Sequence, residues 1–362
     1  GYRGGAIYYW SAATGLNVRG FNILDFPGAD GYAPSVQNMI LISDQLKQVM
    51  AFGCNNLITS TLDPMLIRWS GQGDPYNWTP DATNQAGFTR LSHGSQIVTT
   101  VQTRQEVVVF TDSSVYSLQY LGPPYVWAPQ LLGDNISIMS PNSAIIASGI
   151  IYWMGVDKFY SYDGRVNTLN CDLRRYIFQD INQEQALQVF CGTSEGFNEV
   201  WWFYCSAGST AIDKYVVYNY LEKLWYYGQL LRSAWMGSHI QSVPIAAYNR
   251  AAVLEVTGVS STGAITGVDI IDGGQYTKAP SSSSVIAVGG TGANCSFVVA
   301  LNNDGEITSA TISQPGINYT LGDTLTVIGG QGAGNILYHE TGLNDAAVNP
   351  PIPMNSYIES AD

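Results

Sequence analysis

The feature that most constrains this sequence is the frequency with which glycine and proline interrupt its apolar residues. The 362 residues include 38 glycines and 15 prolines, and nearly every window long enough to show helical periodicity contains one of them. What remains are short apolar and aromatic runs separated by turn residues, which is typical of β-hairpins. The runs pair as residues 105–110 with 115–121, 150–155 with 158–162, and 200–205 with 214–220. The sequence therefore predicts an all-β protein, with one helical segment at about residues 172–187.

Aromatic residues mark a repeat along the first 250 residues. Trp69, Tyr116, Phe159 and Tyr218 stand in similar strand pairs and follow one another at intervals of 43 to 59 residues. Periods of about 40–50 residues with several strands per unit are typical of β-propeller blades, which are small sheets that stack to bury both faces. We therefore predict propeller blades over residues 1–250, which form either a complete or a partial ring.

A second repeat follows, in a segment that is rich in glycine, serine and threonine and contains no tryptophan. Residues 263–266 recur at 305–308, residues 274–277 at 317–320, and residues 289–293 at 329–333. We interpret residues 251–334 as a small duplicated β domain inserted at a hairpin tip, since exposed tips tolerate insertions. The propeller pattern then returns over residues 335–362.

Charged side chains are scarce, and acidic ones outnumber basic ones. They form 12% of the chain, against roughly 25% in a typical soluble domain. The 15 basic and 28 acidic residues give a net charge of −13, which opposes tight binding of nucleic acid. The apolar runs are far shorter than the roughly 20 residues that cross a bilayer, so no membrane span is predicted.

The cysteines favour neither a disulfide framework nor a zinc site. They are odd in number and widely spaced, and no two form a C-x-x-C pair. We expect buried free thiols, because an unpaired cysteine packs as a small apolar residue. The five are Cys54, Cys171, Cys191, Cys205 and Cys295.

One short motif matches the nucleophile elbow of serine hydrolases. Gly192, Ser194 and Gly196 fit the pattern G-x-S-x-G, but that elbow needs a strand before the serine and a helix after it. The residues that follow, 197–204, are aromatic and predict a strand. We therefore interpret the motif as a hairpin turn.

The remaining candidates for catalysis are residues whose spacing favours no particular chemistry. A serine triad or a zinc site could be assembled in space from the histidines His93, His239 and His339, but their spacing favours neither. A glycosidase pair could be drawn from four aspartates, Asp112, Asp134, Asp157 and Asp163. Asp157 and Asp163 stand where turns are expected, and aspartate is itself a turn residue. We predict no catalytic residue, no cofactor and no metal.

Three further patterns have structural explanations. The glycine-rich residues 329–334 lack the spacing of a phosphate-binding loop, and their duplicate at 289–293 marks them as a repeat turn. The glycosylation sequons matter only in a secretory pathway, which nothing else indicates; they begin at Asn77, Asn135, Asn294 and Asn318. Trp127, which follows Pro123, Pro124 and Tyr125, is a candidate sugar-stacking residue if exposed, although we favour a place in the core.

Several segments together resemble the β-propeller proteins of bacteriophage tails, in particular the tail nozzle (tail tubular protein B) and related hub proteins of short-tailed phages. The resemblance lies in residues 67–70 with 73–78, in 108–118, and in 151–154 with 159–164. The duplicated unit also resembles small β modules that decorate phage structural proteins.

The resemblance implies a non-enzymatic virion component that forms an oligomeric ring around the DNA exit channel of the tail. Its partners would be other copies of itself and neighbouring tail proteins such as an adaptor, fibre or spike. Genomic DNA would pass without specific binding, since an acidic wall offers phosphates no anchor. Two alternatives stay open, namely a propeller or spike that binds host-surface glycans, and a propeller glycosidase.

Overall fold

The computed structural model of this protein describes most of the chain. The described residues are 4–15, 17–59, 61–209, 212–230, 232–237, 244–249, 251–274, 276, 285–302, 306–327, 335–339, 344–345, 352–353 and 355–357. The chain divides into two compact units, Gly1–Asn170 and Cys171–Asp362. The predicted domain boundaries at 250 and 334 stay predictions.

The first unit consists mainly of three antiparallel sheets, each formed by four strands consecutive in the chain. A short hairpin precedes them, β1 (Tyr8–Tyr9) and β2 (Phe21–Asn22), with single 3₁₀ turns at Ala12–Thr14 and Ile23–Asp25. The first sheet is β3 (Gln37–Ile42), β4 (Val49–Asn55), β5 (Leu62–Trp69) and β6 (Gly87–Arg90). The second is β7 (Ile97–Gln102), β8 (Glu106–Thr111), β9 (Ser114–Gly122) and β10 (Val126–Asp134). The third is β11 (Ala144–Ala147), β12 (Ile150–Met154), β13 (Phe159–Tyr162) and β14 (Val166–Leu169).

The middle sheet of this unit is buried on both faces, which explains why its strands are apolar without alternation. Successive side chains of a strand point to opposite faces. Val107 and Val109 of β8 pack with the first sheet around Phe52 and Trp69. Val108 and Phe110 of the same strand pack with the third sheet in a separate core, which contains Ile151, Trp153 and Tyr160.

The three sheets are stacked in the same orientation. The first strand of the middle sheet, β7, lies beside the first strands of its two neighbours, β3 and β11. The last strands β6 and β10 also lie beside each other. The free face of the first sheet is covered by the N-terminal segment through Ile7, Ile23 and Ala33.

The second unit begins with the predicted helical segment and continues with a five-stranded sheet. The helix is α1 (Arg174–Asp180), followed by a 3₁₀ stretch at Gln183–Gln188. The sheet contains β15 (Phe190–Ser194), β16 (Glu199–Tyr204), β17 (Lys214–Asn219) and β18 (Leu224–Gln229). After these come β19 (Ala234–Met236) and β20 (Ile245–Asn249).

The duplicated segment forms one six-stranded sheet around its own apolar core. The first copy provides β21 (Val253–Val259), β22 (Ile265–Asp272) and β23 (Val285–Val288). The second provides β24 (Ala293–Leu301), β25 (Ile307–Ile317) and β26 (Thr324–Val327). The strand order is β22-β21-β26-β23-β24-β25, so the third strand of each copy pairs with the first strand of the other.

The two outer strands of this sheet meet, and the sheet closes on itself. The backbone N–H of Ile307 in β25 donates to the carbonyl of Gly273 at the end of β22, over 2.7 Å. At the opposite end of the seam the N–H of Tyr319 donates to the carbonyl of Gly263, over 2.9 Å. Gly263 has a φ of +70°, and a Cβ there would lie 2.7 Å from the backbone of Asn318. Glycine is therefore required by both the conformation and the close approach.

The last strands of the chain return to the strands that precede the duplicated segment. They are β27 (Asn335–His339), β28 (Asn344–Asp345), β29 (Ile352–Pro353) and β30 (Asn355–Tyr357). β27 pairs with β20, and β30 adds to β18 as the fifth strand of its sheet. β28 and β29 pair with each other.

The prediction of an all-β protein is confirmed, as are the three predicted hairpins and the single helical segment. None of the helices among the described residues is both long and apolar enough to span a bilayer.

Candidate functional site

The structure brings three of the candidate residues to one end of the second sheet. His93 precedes β7, Asp112 lies in the turn between β8 and β9, and Asp134 ends β10. The Ser95 N–H donates to Asp112 Oδ1 over 2.8 Å, and the Ser114 hydroxyl donates to Asp134 Oδ1 over 2.7 Å. The result is a cluster of turn-stabilising hydrogen bonds.

The protonation of these carboxylates is the opposite of what a glycosidase acid needs. Burial raises the pKa of Asp112, but hydrogen bonds from Ser95 and Gln96 outweigh it and leave that pKa below its usual value. The hydrogen bond from Ser114 likewise lowers the pKa of Asp134. Both groups are ionised at neutral pH, whereas a general acid must keep its proton.

His93 is exposed and does not form the contacts of a catalytic triad. Its backbone N–H donates to the Tyr116 hydroxyl over 2.7 Å, and its Nδ1 lies 2.9 Å from the hydroxyl of the adjacent Ser92. In a triad the serine hydroxyl bonds one ring nitrogen and an aspartate the other. Of the other histidines, His239 and the side chain of His339 lie outside the described residues, as does the glycine-rich segment 329–334.

The other two candidate aspartates are exposed turn residues of the third sheet. Asp157 lies between β12 and β13. Asp163 Oδ1 accepts from the backbone N–H of Arg165 over 3.3 Å and from Asn167 Nδ2 over 3.2 Å. Among the described residues no group of histidine, cysteine, aspartate and glutamate side chains could hold a metal ion.

The G-x-S-x-G motif is a hairpin turn, as its interpretation from the sequence expected. Ser194 ends β15, a single 3₁₀ turn covers Glu195–Phe197, and the chain returns in β16. Gly192 lies under Trp235, and a Cβ there would be 2.2 Å from the indole ring. Glycine is therefore needed at position 192 because the Trp235 ring packs directly against the backbone there. No helix follows Ser194, so the motif does not present that serine as a nucleophile.

All five cysteines are free thiols, as expected; Cys54, Cys205 and Cys295 are buried, and Cys171 and Cys191 are half-buried. Burial raises the pKa of Cys54, Cys171 and Cys205 to about 12 in each case. Such thiols stay protonated and unreactive at neutral pH.

The most perturbed acid in the described chain is one that sequence reasoning missed. Glu199, the first residue of β16, accepts a hydrogen bond from Trp201 Nε1 over 3.0 Å and another from the Tyr226 hydroxyl. Desolvation by burial raises the pKa of Glu199 to about 7, although the hydrogen bond from Trp201 opposes the shift. No cation among the described residues forms an ion pair with Glu199. Its only signal in the sequence is an acid placed before the run Val-Trp-Trp-Phe-Tyr.

Glu199 should make the stability of its sheet depend on pH. Because its pKa is about 7 in the folded state against 4.5 unfolded, the folded state binds more protons between these values. The free energy of unfolding should then fall as pH rises from 4.5 to 7. We expect Glu199→Gln to abolish this decrease in the free energy of unfolding. At pH 8 the variant should be more stable than the parent by about 2 kcal/mol, after allowance for solvent screening.

Urea unfolding at several pH values tests this expectation, with the exposed Glu222→Gln of the same sheet as the matched control. The stability difference between Glu199→Gln and the parent should grow across the window and then level off. A difference that stays constant with pH would contradict the assignment.

The structure also separates buried aromatic residues from exposed ones. Trp127 is only 4% exposed, and its Nε1 donates to Gln48 Oε1 over 2.8 Å, so it cannot stack on a sugar. The neighbouring Tyr125 is 75% exposed. Tyr8 and Trp10 are 53% and 43% exposed, and the sequence signal for them was three successive aromatics in an uncharged stretch.

Asparagine begins three of the sequons for a conformational reason. Asn135, Asn294 and Asn318 have φ of 57°, 63° and 64°. Asparagine tolerates this left-handed region better than other residues that carry a side chain, apart from aspartate. The backbone therefore explains these positions without glycosylation.

Comparisons with known proteins give only distant similarity. No protein-family model matches the chain, and no curated protein matches it. An exported protein of Bacteroides fragilis superposes with a TM-score of 0.33 at 6% identity, over 61% of this chain and 70% of that one. BamB of Moraxella catarrhalis superposes with a TM-score of 0.33 at 10% identity, over 85% of this chain and 84% of that one. At these values the similarity carries no argument about fold or function.

Proposed function

We propose that the sheets of residues 1–250 are blades of a β-propeller and that the protein is a non-enzymatic structural component of a phage tail. The observation that carries the architecture is the stacking in the Gly1–Asn170 unit. Three four-stranded meanders pack face to face, with β7 beside β3 and β11 and with β6 beside β10. This arrangement is expected of blades around an axis, because their first strands lie side by side near the centre and their last strands lie on the outside.

The pairing of the late strands supports an insertion at residues 251–334. β20 ends at Asn249 directly opposite Asn335, where β27 begins. The duplicated sheet therefore occupies the position of a turn between two antiparallel strands. A hairpin tip is a site where an added domain costs the host fold little.

The charge of the chain supports the role. A net charge of −13 gives DNA no anchor, because phosphate binding depends on basic side chains. A scarcity of charge also suits a subunit whose surface is largely covered by neighbours, since interface cores are depleted of charged residues. The protein would then form a ring around the DNA exit channel, in contact with other tail proteins.

Three measurements on the purified full chain test this proposal. Light scattering after gel filtration should give a mass of several subunits, and negative-stain images should show annular particles. Retardation gels at physiological salt should show no DNA complex. A monomer at every concentration, or a stable DNA complex, would overturn the proposed ring, and cleavage of glycans would favour the glycosidase alternative.

A further inference from the structure

The N-terminal hairpin presents two aromatic rings on one face. In β1 and β2, Tyr8 pairs with Asn22 and Tyr9 with Phe21, which places Gly20 next to Trp10. A Cβ on Gly20 would lie 3.7 Å from the Cβ atoms of both Tyr8 and Trp10. The Tyr8 and Trp10 side chains therefore flank a position that carries no side chain, where a Cβ would also approach the Tyr9 carbonyl oxygen to 3.1 Å.

The Trp10 ring is held in place by the loop that follows it. Its Nε1 donates to the carbonyl of Gly15 over 3.3 Å. The same carbonyl accepts the Val18 N–H over 3.3 Å, and the Gly15 N–H donates to Ala12 over 3.1 Å. The indole is thus oriented before any ligand arrives, which reduces the entropy lost on binding.

The opposite face of the hairpin is braced by packed rings. Tyr9 lies edge-on to Phe26 at 5.4 Å and to Tyr76 at 6.0 Å between ring centroids. Phe26 and Tyr76 are stacked at 3.9 Å. The exposed pair therefore stands on a supported surface.

We propose that Tyr8 and Trp10 form a stacking site for a neutral carbohydrate. An aromatic face carries negative charge density, and it attracts the weakly positive C–H groups on the face of a sugar ring. The sequence from Gly4 to Val18 carries no charged residue, and the one charged neighbour of Gly20 in the chain is the exposed Arg19, whose guanidinium can donate hydrogen bonds to the hydroxyl groups of an uncharged sugar. This inference goes beyond the proposed function, because a ring around a channel requires no ligand.

The size of the patch favours a sugar over a second copy of this chain. A tyrosine or tryptophan side chain buries about 150–250 Å² when fully covered, so two half-exposed rings offer about 200 Å². A stable protein interface needs about 800 Å² from each partner. The pair by itself is large enough for one or two sugar rings and far below the area of a stable protein interface.

An array of immobilised neutral oligosaccharides, probed with the labelled full chain, tests the site. Titration of the best neutral glycan should give an affinity that falls at least tenfold in Tyr8→Ala and in Trp10→Ala. Gly20→Ala should also weaken binding, because it fills the space between two intact rings. Tyr125→Ala, which removes an exposed aromatic of the same unit, is the matched control and should bind as the parent does.

Three results would overturn the inference. They are the absence of any neutral glycan bound by the parent, unchanged affinity in the Tyr8 and Trp10 variants, and preferential binding of a quaternary ammonium probe. Trp10→Phe keeps a stacking face and should keep part of the affinity, which separates lost stacking from a misfolded loop. Oligomer mass measured in the same samples separates this inference from the proposed ring.

Discussion

Replacing Trp153 with alanine is expected to lower the free energy of unfolding of the Gly1–Asn170 unit by about 3–5 kcal/mol. Trp153 is fully buried in the core between the second and third sheets. Its ring stacks on Tyr160 at 5.2 Å and meets Phe110 edge-on at 5.1 Å. The alanine variant would lose these contacts and leave a cavity between two sheets, which rigid strands close only in part.

Hydrogen exchange with mass spectrometry tests this expectation, because peptides from each unit are followed separately. Protection should fall in peptides of β8, β12 and β13 and stay unchanged in those of the duplicated sheet. Trp153→Phe should lower the free energy of unfolding much less than Trp153→Ala does. Tyr125→Ala, at an exposed position, should lower it by less than about 0.5 kcal/mol. Unchanged protection in β12 of the alanine variant would show that the core between these sheets does not limit stability.

Replacing Arg68 with alanine is expected to cost about 3–4 kcal/mol, through a cavity and through polar groups left without partners. The Arg68 side chain is buried, Nη1 donates to the carbonyl of Asn55 over 3.1 Å, and Nη2 donates to the carbonyl of Tyr32. The guanidinium lies 5.8 Å from the ring centroid of Trp78. Arg68 takes part in no ion pair of the described chain, and desolvation lowers its pKa.

Arg68→Met separates the two contributions. Methionine fills most of the volume and removes a buried charge whose desolvation opposes folding, so we expect a loss of only about 1 kcal/mol. Urea midpoints of the two variants provide the comparison. If Arg68→Met proved as unstable as Arg68→Ala, the hydrogen bonds rather than the packing would dominate.

Asp30, in the N-terminal segment, forms further hydrogen bonds to the residues around Arg68. Its Oδ2 accepts the N–H groups of Trp78 and Thr79 over 2.6 and 2.8 Å, and its Oδ1 accepts the Tyr32 N–H over 2.9 Å. Burial raises the pKa of Asp30, but these hydrogen bonds outweigh it and leave the pKa below its usual value. Asp30 and Arg68 together join the N-terminal segment to the first sheet.

The sequence predicted the elements whose causes are local. The runs at 105–110 and 115–121 became β8 and β9 because both are apolar and the turn between them carries Asp112. The helix near 172–187 was found as α1 followed by a 3₁₀ stretch. These features depend on neighbours only a few residues away, which a single sequence displays.

Features that depend on distant residues could not be predicted. Trp127 is buried in a core with Phe52 and Trp69, and Gln48, far away in the chain, accepts its indole N–H. Glu199 has a raised pKa because the fold buries it, which outweighs the opposing hydrogen bond from Trp201. The repeat was visible in the sequence, but the pairing of β26 with β21 and with β23 joins residues more than 30 positions apart.

The closed duplicated sheet has a consequence for how such a chain can be assembled. Val253 at the start of β21 lies directly opposite Thr326 near the end of β26, so the sheet begins and ends at adjacent points. Paired positions on neighbouring strands are only about 5 Å apart, the separation that a hairpin turn already spans. If the proposed insertion holds, two neighbouring strands of a host hairpin could carry this sheet at their tip without a change in their own pairing.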